Sequence, residues 1–249
     1  MALMKKKRLP DTDMARIALI PSADAKLAAL RRFKAGHPDI SLASFRKQIA
    51  YLSRAVEATD LHFFPGPVAD IEHILNAIRA SSKLGKEFDA NALRADLLRA
   101  KAEHLGWSGV LRDFGPLKLH PSYSACFWAD AVLRDEHGPF FLIVDPRLRD
   151  RLGPLARSFA ASCAHERIRV LEPELLSVPI RLARFTIGRD KTPRIDVSTY
   201  TGPLVPFDVL AEGVRETLDL WERVQAERAE DASVRDTETA PWFGSTLKR

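Results

Sequence analysis

The chain has 249 residues, 46% of them hydrophobic, and a net charge of +5 at neutral pH; this excludes a disordered or fibrous protein and allows one large or two small domains. Two cysteines are too few for a disulfide scaffold or a cysteine-rich zinc site, and no apolar stretch is long enough to span a bilayer. We therefore expect a cytoplasmic protein with no membrane association, whose basic excess favours polyanionic partners.

Helices dominate the first hundred residues. Apolar residues at steps of three and four predict a helix over 41–57, capped by Ser41, whose buried face carries Leu42, Phe45, Ile49, Leu52 and Val56. A second helix follows the break at Pro65-Gly66-Pro67, and a third runs from about Asp89 to Leu105. We assign residues 1–107 to a helical region.

Basic side chains mark the outer faces of these helices. A DNA-contacting helical domain would use such residues to bind phosphates. The candidate nucleic-acid contacts are Arg46, Lys47, Arg54, Lys83 and Lys86. The alternative is an ordinary solvated face.

The period of the sequence changes after Gly115-Pro116. Residues 117–120 are predicted as a short strand, and 124–134 alternate as a strand with two distinct faces should. A turn at 135–138 follows. The run 140–144 is apolar at every position, which indicates a central strand covered on both sides.

The remaining predicted elements are, in chain order, a helix over 148–163, a strand over 168–171, strands over 180–187 and 194–200, and a long helix containing Phe207, Leu210, Val214, Leu218 and Trp221. Residues 108–230 then form an α/β core with a C-terminal helix, and the charged residues 231–249 are expected to be a disordered tail. The predicted fold class is α+β.

Two acids lie on the predicted hairpin, Asp130 in its first strand and Asp145 at the end of its second strand. If the strands pair through a two- or four-residue turn, Ile143 faces Asp130 and Asp145 faces Trp128. Asp130, Asp145 and Arg147 then project from one side, with the two acids roughly 7–8 Å apart at their α-carbons. Two carboxylates at that spacing can hold one Mg²⁺, which can promote phosphodiester cleavage.

This order of helix, strand, acid-bearing strand and strand ending in acid-x-base resembles the core of the PD-(D/E)XK nuclease superfamily. In that pattern Asp130 of "WADAVLRD" matches the first acid and Asp145 the second. Arg147 takes the catalytic lysine position, and Glu103 of "AEHLGW" matches an acid on the preceding helix. The segment "RLRDRLGPLARSFAASCAHERIRVLEPELL" is similar to the endonuclease subunit of heteromeric cut-and-paste transposases. The resemblance covers roughly residues 95–176.

The sequence departs from that pattern at three positions. Ala129 replaces the usual proline, Pro146 occupies the x position and Arg147 replaces lysine. An arginine stays protonated, so it can grip a phosphate but is a poor general base. A structural alternative also stands: Asp145 caps the helix that follows, with Arg147 as its surface partner.

The resemblance implies a DNA-acting bacterial protein with a restriction-endonuclease-like mixed sheet flanked by helices. It would cleave DNA with Mg²⁺ held by Asp130 and Asp145, with Glu103 as an accessory ligand and Arg147 on the scissile phosphate, or it would bind DNA without cutting. The alternative is a non-catalytic protein-interaction subunit of a mobile-element or defence assembly. In that case the helical half and the 207–221 helix supply the contact surface.

Overall fold

The computed structural model describes residues 9–33, 41–57, 66–148 and 151–238. Its helices are α1 (Asp11–Ile17), α2 (Ala23–Arg32), α3 (Ala43–Arg46), α4 (Ile49–Leu52), α5 (Ile71–Ser81), α6 (Gly85–His104), α7 (Pro154–Ala164) and α8 (Phe207–Glu238). A π-helical turn, His165–Arg169, continues α7, and a 3-10 helix spans Pro173–Leu175.

The strands are β1 (Ala55–Val56), β2 (Ser108–Leu111), β3 (Leu117–His120), β4 (Tyr123–Ala125), β5 (Ala131–Asp135), β6 (Gly138–Asp145), β7 (Ile180–Ile187) and β8 (Pro193–Thr199). Six of them form one sheet in the order β1-β2-β5-β6-β7-β8, and β3 and β4 pair as a separate hairpin. The sheet is mixed, because β1 runs parallel to β2 and β6 parallel to β7, whereas the other neighbours are antiparallel. The α+β class is therefore confirmed.

A hydrophobic core lies on each face of the sheet, and β6 contributes to both. Phe141 and Ile143 point into a core closed by α1, α2, α7 and α8. Phe140 and Leu142 point into a second core, closed by the helices from α3 to α6. All of these β6 side chains are buried, which confirms the predicted central strand.

Several predicted elements agree with the structure. The two helices expected after residue 66 are α5 and α6, and the strands predicted over 117–120, 180–187 and 194–200 are β3, β7 and β8, the last within one residue. The division into regions at 107/108 stays a prediction, and β2 starts at Ser108. Across that division, β1 from the helical region pairs with β2 at the sheet edge.

The single helix predicted over 41–57 was wrong. The chain forms two short helices, α3 and α4, and then turns at Arg54, which has a positive φ of 67°. Val56 lies in β1, where it pairs with Val110 of β2. Pairing with the sheet overrode the helical spacing of the apolar residues, as tertiary contacts commonly override local preference.

Two predicted strands were also wrong. The strand expected over 124–134 is interrupted, because β4 ends at Ala125 and β5 starts at Ala131. Residues 168–171 do not form the expected strand: 168 and 169 belong to the π-helical turn, and 170 and 171 form the turn after it. At the C-terminus, α8 continues to Glu238, so 231–238 of the expected tail is helical and 239–249 lies outside the described residues.

A buried ion pair fixes the end of the β5–β6 hairpin to β7. Both terminal nitrogens of the Arg181 guanidinium donate to the carboxylate of Asp135, one of them over 3.1 Å, and the two side chains are only 11% and 6% exposed. The guanidinium also lies 4.0 Å from the centre of the Phe140 ring. These hydrogen bonds lower the pKa of Asp135.

We expect Asp135→Asn to lower the free energy of unfolding by about 3 kcal/mol at pH 7, because it leaves a buried guanidinium without its counter-charge. Since the folded pKa of Asp135 is depressed, its contribution is present above the unfolded pKa of about 4 and is lost as the pH falls through the folded pKa. Urea unfolding at several pH values measures this: the gap between wild type and variant should narrow in acid. Glu136→Gln, at the exposed turn next to it, is the control and should change stability little.

Candidate functional site

Asp145 ends β6 with a side chain that is only 3% exposed. One carboxylate oxygen accepts the backbone N–H of Leu152 over 2.6 Å, and the other accepts the backbone N–H and the Nε–H of Arg147 over 3.4 and 3.3 Å. Both oxygens therefore anchor the connection between β6 and α7. The predicted helix cap was wrong, because α7 begins after Gly153 with no side-chain cap. Asp145 instead binds the loop before α7, and its partner Arg147 is only 18% exposed.

Asp130 does not lie opposite Ile143. The expected pairing holds in the hairpin, where Leu133 faces Phe140, but further on Trp128 pairs with Ile143. Between them the chain bulges, with the N–H of Ala131 donating to the carbonyl of Ala129 over 2.8 Å. The extra residues shift the register by two, so the predicted pairs of Asp130 with Ile143 and of Asp145 with Trp128 were wrong.

The bulge leaves Asp130 exposed at the surface. Its backbone carbonyl accepts the N–H of Arg112 over 3.0 Å, and its carboxylate accepts the N–H of Phe114. Partial burial of the carboxyl group, and secondarily the charge of Asp113, raise its pKa. The neighbours of the Asp130 carboxylate are thus Asp113 and Phe114, in the loop between β2 and β3.

Glu103 pairs within its own helix. Its carboxylate accepts the Nε–H of Arg99 over 2.8 Å and is 55% exposed, while Arg99 also donates to the carbonyls of Tyr51 and Ala69. In the described part of the chain, no three His, Cys, Asp or Glu side chains come together as a metal site. Mg²⁺ stays a prediction of the nuclease resemblance.

The five basic residues proposed for DNA contact do not follow one helix. Arg46 ends α3 and Lys47 follows it, whereas Arg54 lies in the turn before β1. Lys83 and Lys86 lie where α5 gives way to α6. Burial, and secondarily the Arg147 charge, lower the pKa of Arg46.

A group of exposed apolar side chains lies on the α7 and α8 side of the sheet. The protein-interaction alternative named the 207–221 helix as a contact surface, but sequence reasoning missed the rest of this group. We call the whole group the apolar surface; the exposed fractions of its side chains run from 39% to 60%, and they are Val170, Leu171, Leu176, Leu204, Phe207 and Val209. They belong to two stretches, one after the π-helical turn and one at the start of α8. Exposed groups of this kind commonly mark protein-interaction sites.

Hydrogen bonds tie the start of α8 to α7 and to the π-helical turn, which leads into the first stretch. The Glu166 carboxylate, in the π-helical turn, accepts the N–H of Phe207, the first residue of α8. Ser158 and Ser162 of α7 bond, over 2.8 Å each, to the carbonyl of Pro203 and the N–H of Val205. The apolar surface therefore rests on a fixed backbone, and π-helical turns are themselves frequent at functional sites.

The sequence concealed this surface for a specific reason. Phe207 lies at helical spacing with Leu210 and Val214, so the pattern predicts that it is buried with them, whereas it is 43% exposed. Leu171, predicted as the end of a strand, is 60% exposed. Periodicity shows which residues share a face, but it does not show where the covering element ends.

Comparison with known proteins identifies the family. A family described as "Sliding clamp-binding bacterial toxin SocB" matches residues 12–231. The chain belongs to the SocB family. It is similar to the "DNA replication inhibitor toxin SocB" of Caulobacter vibrioides (strain NA1000 / CB15N), with 31% identity over 242 residues, which is 97% of this chain and 100% of the relative. No solved structure matches it.

Membership of the SocB family overturns the resemblance to PD-(D/E)XK nucleases and to the transposase endonuclease subunit, which was wrong. The acid-x-base motif is short, and here its second acid is an anchor for the chain. The DNA-acting nuclease reading falls with it, and the protein-interaction alternative fits the SocB family better. None of the helices in the described ranges combines the length and the hydrophobicity of a membrane-spanning segment.

We expect Asp145→Ala to lower the free energy of unfolding by about 2–4 kcal/mol, because it leaves the buried N–H of Leu152 and the Arg147 guanidinium without an acceptor. Glu103→Gln, at the other predicted acid, is the control and should cost about 0.5 kcal/mol or less. Chemical denaturation measures both. A melting temperature that rises with Mg²⁺ in the wild type but not in Asp145→Ala would contradict the anchor assignment and support a metal ligand.

Proposed function

We propose that this protein binds a bacterial sliding clamp and thereby inhibits DNA replication. The observation that carries the proposal is the SocB family match over residues 12–231, together with a replication-inhibitor toxin that aligns along its whole length. A match of that extent includes nearly all of both cores and α8 as far as residue 231. The proposal therefore concerns the folded unit and not one short motif.

The described geometry supports a binding role. Of the residues assigned to catalysis from the sequence, Asp145 and Glu103 are engaged in hydrogen bonds within the chain. The apolar surface, in contrast, leaves large side chains exposed on a hydrogen-bonded backbone. Burying them against a partner is favourable in proportion to the area removed from water.

We place the clamp contact on the apolar surface. Leu171 and Phe207 are its central candidates, because they lie in different stretches and are 60% and 43% exposed. Large apolar side chains that are buried on binding dominate the energy of many protein interfaces. The charged side chains near them, including Glu166 and Arg169, suit the polar rim that surrounds such a centre.

The binding prediction uses the purified full chain and an immobilised sliding clamp from the same bacterium. Surface plasmon resonance should show saturable binding, and Leu171→Asp and Phe207→Asp should each weaken it by about tenfold or more, because a charge would be buried in the contact. The matched control is Ile187→Asp. Ile187 is 45% exposed and lies at the far end of the eight-residue β7. It is therefore about 23 Å from the start of that strand, which follows the loop that carries Leu176 of the apolar surface.

The outcomes separate the two parts of the proposal. No binding by the wild type contradicts the function. Wild-type binding with unchanged affinity in both aspartate variants keeps the function and rejects the apolar surface. An equal loss in Ile187→Asp also rejects that surface.

The cellular prediction is a fall in DNA synthesis when the chain is expressed. Incorporation of labelled thymidine should drop soon after induction, and additional clamp expressed in the same cells should restore it by mass action. Phe207→Asp should inhibit less than wild type at equal protein level. Inhibition that is unaffected by additional clamp would contradict the mechanism.

A further inference from the structure

A groove of about 700 Å³ lies on the opposite side of the sheet from the apolar surface, where α6 ends. Its floor is the Asp135–Arg181 ion pair, with Thr199 beside Arg181 in the β7–β8 register. One wall is the last turn of α6, which carries Lys101 and His104. The exposed turn between β5 and β6 also lines the groove and forms part of its rim.

The acidic group on the floor is already engaged. The Asp135 carboxylate receives both terminal nitrogens of Arg181 and also the backbone N–H of His137 over 2.9 Å. The second acid, Glu136, lies on the rim with a side chain 83% exposed, 3.5 Å from the imidazole of His137. Water and salt screen its charge there.

The wall, in contrast, presents hydrogen-bond donors without acceptors. Within the described chain, neither the Lys101 ammonium nor the His104 ring has a hydrogen bond or an ion pair. The positions one turn away from Lys101 along α6 are Leu97, Leu98, His104 and Leu105, so no acid of its own helix can reach it.

Neither side chain is needed to cap α6. The chain after the helix already supplies N–H groups to its last carbonyls. Leu105, Gly106 and Trp107 donate to the carbonyls of Lys101, Glu103 and Ala102 over 2.8–3.1 Å. The side chains of Lys101 and His104 are thus left to face the groove.

We propose that this groove binds the phosphate group of a small phosphate ester. Lysine binds phosphate as a point charge. The His104 ring and the Thr199 hydroxyl line the same groove as Lys101 and can donate further hydrogen bonds to the phosphate oxygens. Leu105 and Val197 supply apolar contact for the organic part. The volume lies in the range of small-molecule sites and exceeds what a free phosphate ion fills.

The site is independent of clamp binding, because the two surfaces belong to different cores. Lys101 and His104 stand on α6, which closes one core, whereas the apolar surface is built on α7 and α8, which close the other. A variant that loses phosphate-ester binding should therefore still bind the clamp, so the two assays are separate tests. Each proposal can fail without the other.

Isothermal titration calorimetry of the full chain with adenosine 5′-monophosphate, inorganic phosphate and adenosine tests the site. The monophosphate should bind saturably, inorganic phosphate more weakly and adenosine not at all. Lys101→Ala should weaken monophosphate binding by about tenfold or more, since it removes one charge-assisted contact. His104→Gln should weaken it less, and Lys83→Ala, an exposed lysine before α6, is the matched control and should leave it unchanged.

Three results overturn the proposal: no saturable monophosphate binding, an affinity unchanged by Lys101→Ala, or adenosine binding as tightly as its monophosphate. Equal affinities for inorganic phosphate and the monophosphate overturn the ester and assign a free oxyanion instead. Because Lys101 is on the surface of α6, a matching melting temperature for Lys101→Ala verifies that the variant is folded.

Discussion

The burial of β6 on both faces is the constraint on which the rest of the structure depends. From Phe140 to Val144 every side chain is apolar and buried, so neither face of the strand can meet water. Phe140 packs edge-on against Trp107 at 5.1 Å on one side, and Phe141 packs against Phe114 at 5.6 Å on the other. A strand of this kind requires helices on both faces of its sheet, which fixes the layered α+β arrangement.

The ends of β6 are where polar interactions set the geometry. At its start, the Asp135–Arg181 pair ties the hairpin to β7, and at its end Asp145 ties the strand to the loop before α7. The carboxylates of Asp135 and Asp145 each accept hydrogen bonds on both oxygens from groups next to the sheet. Acids at the ends of buried strands therefore have a structural explanation here that needs no metal.

The long helix α8 is attached in a way that leaves its first turn available. Lys26 of α2, almost fully buried, pairs with Glu216 over 2.5 Å, and Arg31 pairs with Glu227 over 2.8 Å. Further along, Arg228 donates to the carbonyls at the end of α2, including that of Phe33 over 2.6 Å. These contacts hold the middle of α8 against α2, so its N-terminal residues emerge beside the π-helical turn and contribute to the apolar surface.

The sequence by itself determined the elements whose residues repeat at one regular spacing. The apolar run of β6, the existence of α5 and α6 and the turn before Pro139 were all predictable, because each depends on local spacing and burial. The start of α6 was not, since the helix begins at Gly85 and not near Asp89. The α+β class follows from the order of these elements. Net charge and composition also indicated a folded protein with charged surfaces.

Tertiary structure alone decided the features that depend on distant pairing. The two residues of β1 are a strand only because β2 lies beside them, and the bulge at Asp130 arises where the β5–β6 pairing passes into the contact between Trp128 and Ile143. The partner of Asp135 is 46 positions away. The exposure of Leu171 and Phe207 depends on how the end of the π-helical turn packs beside the start of α8. The spacing of residues along the chain does not show which element covers a given face. Function was misjudged for the same reason: two acids at a suggestive spacing were taken as a site, whereas their neighbours in space make one of them an anchor and leave the other in a bulge.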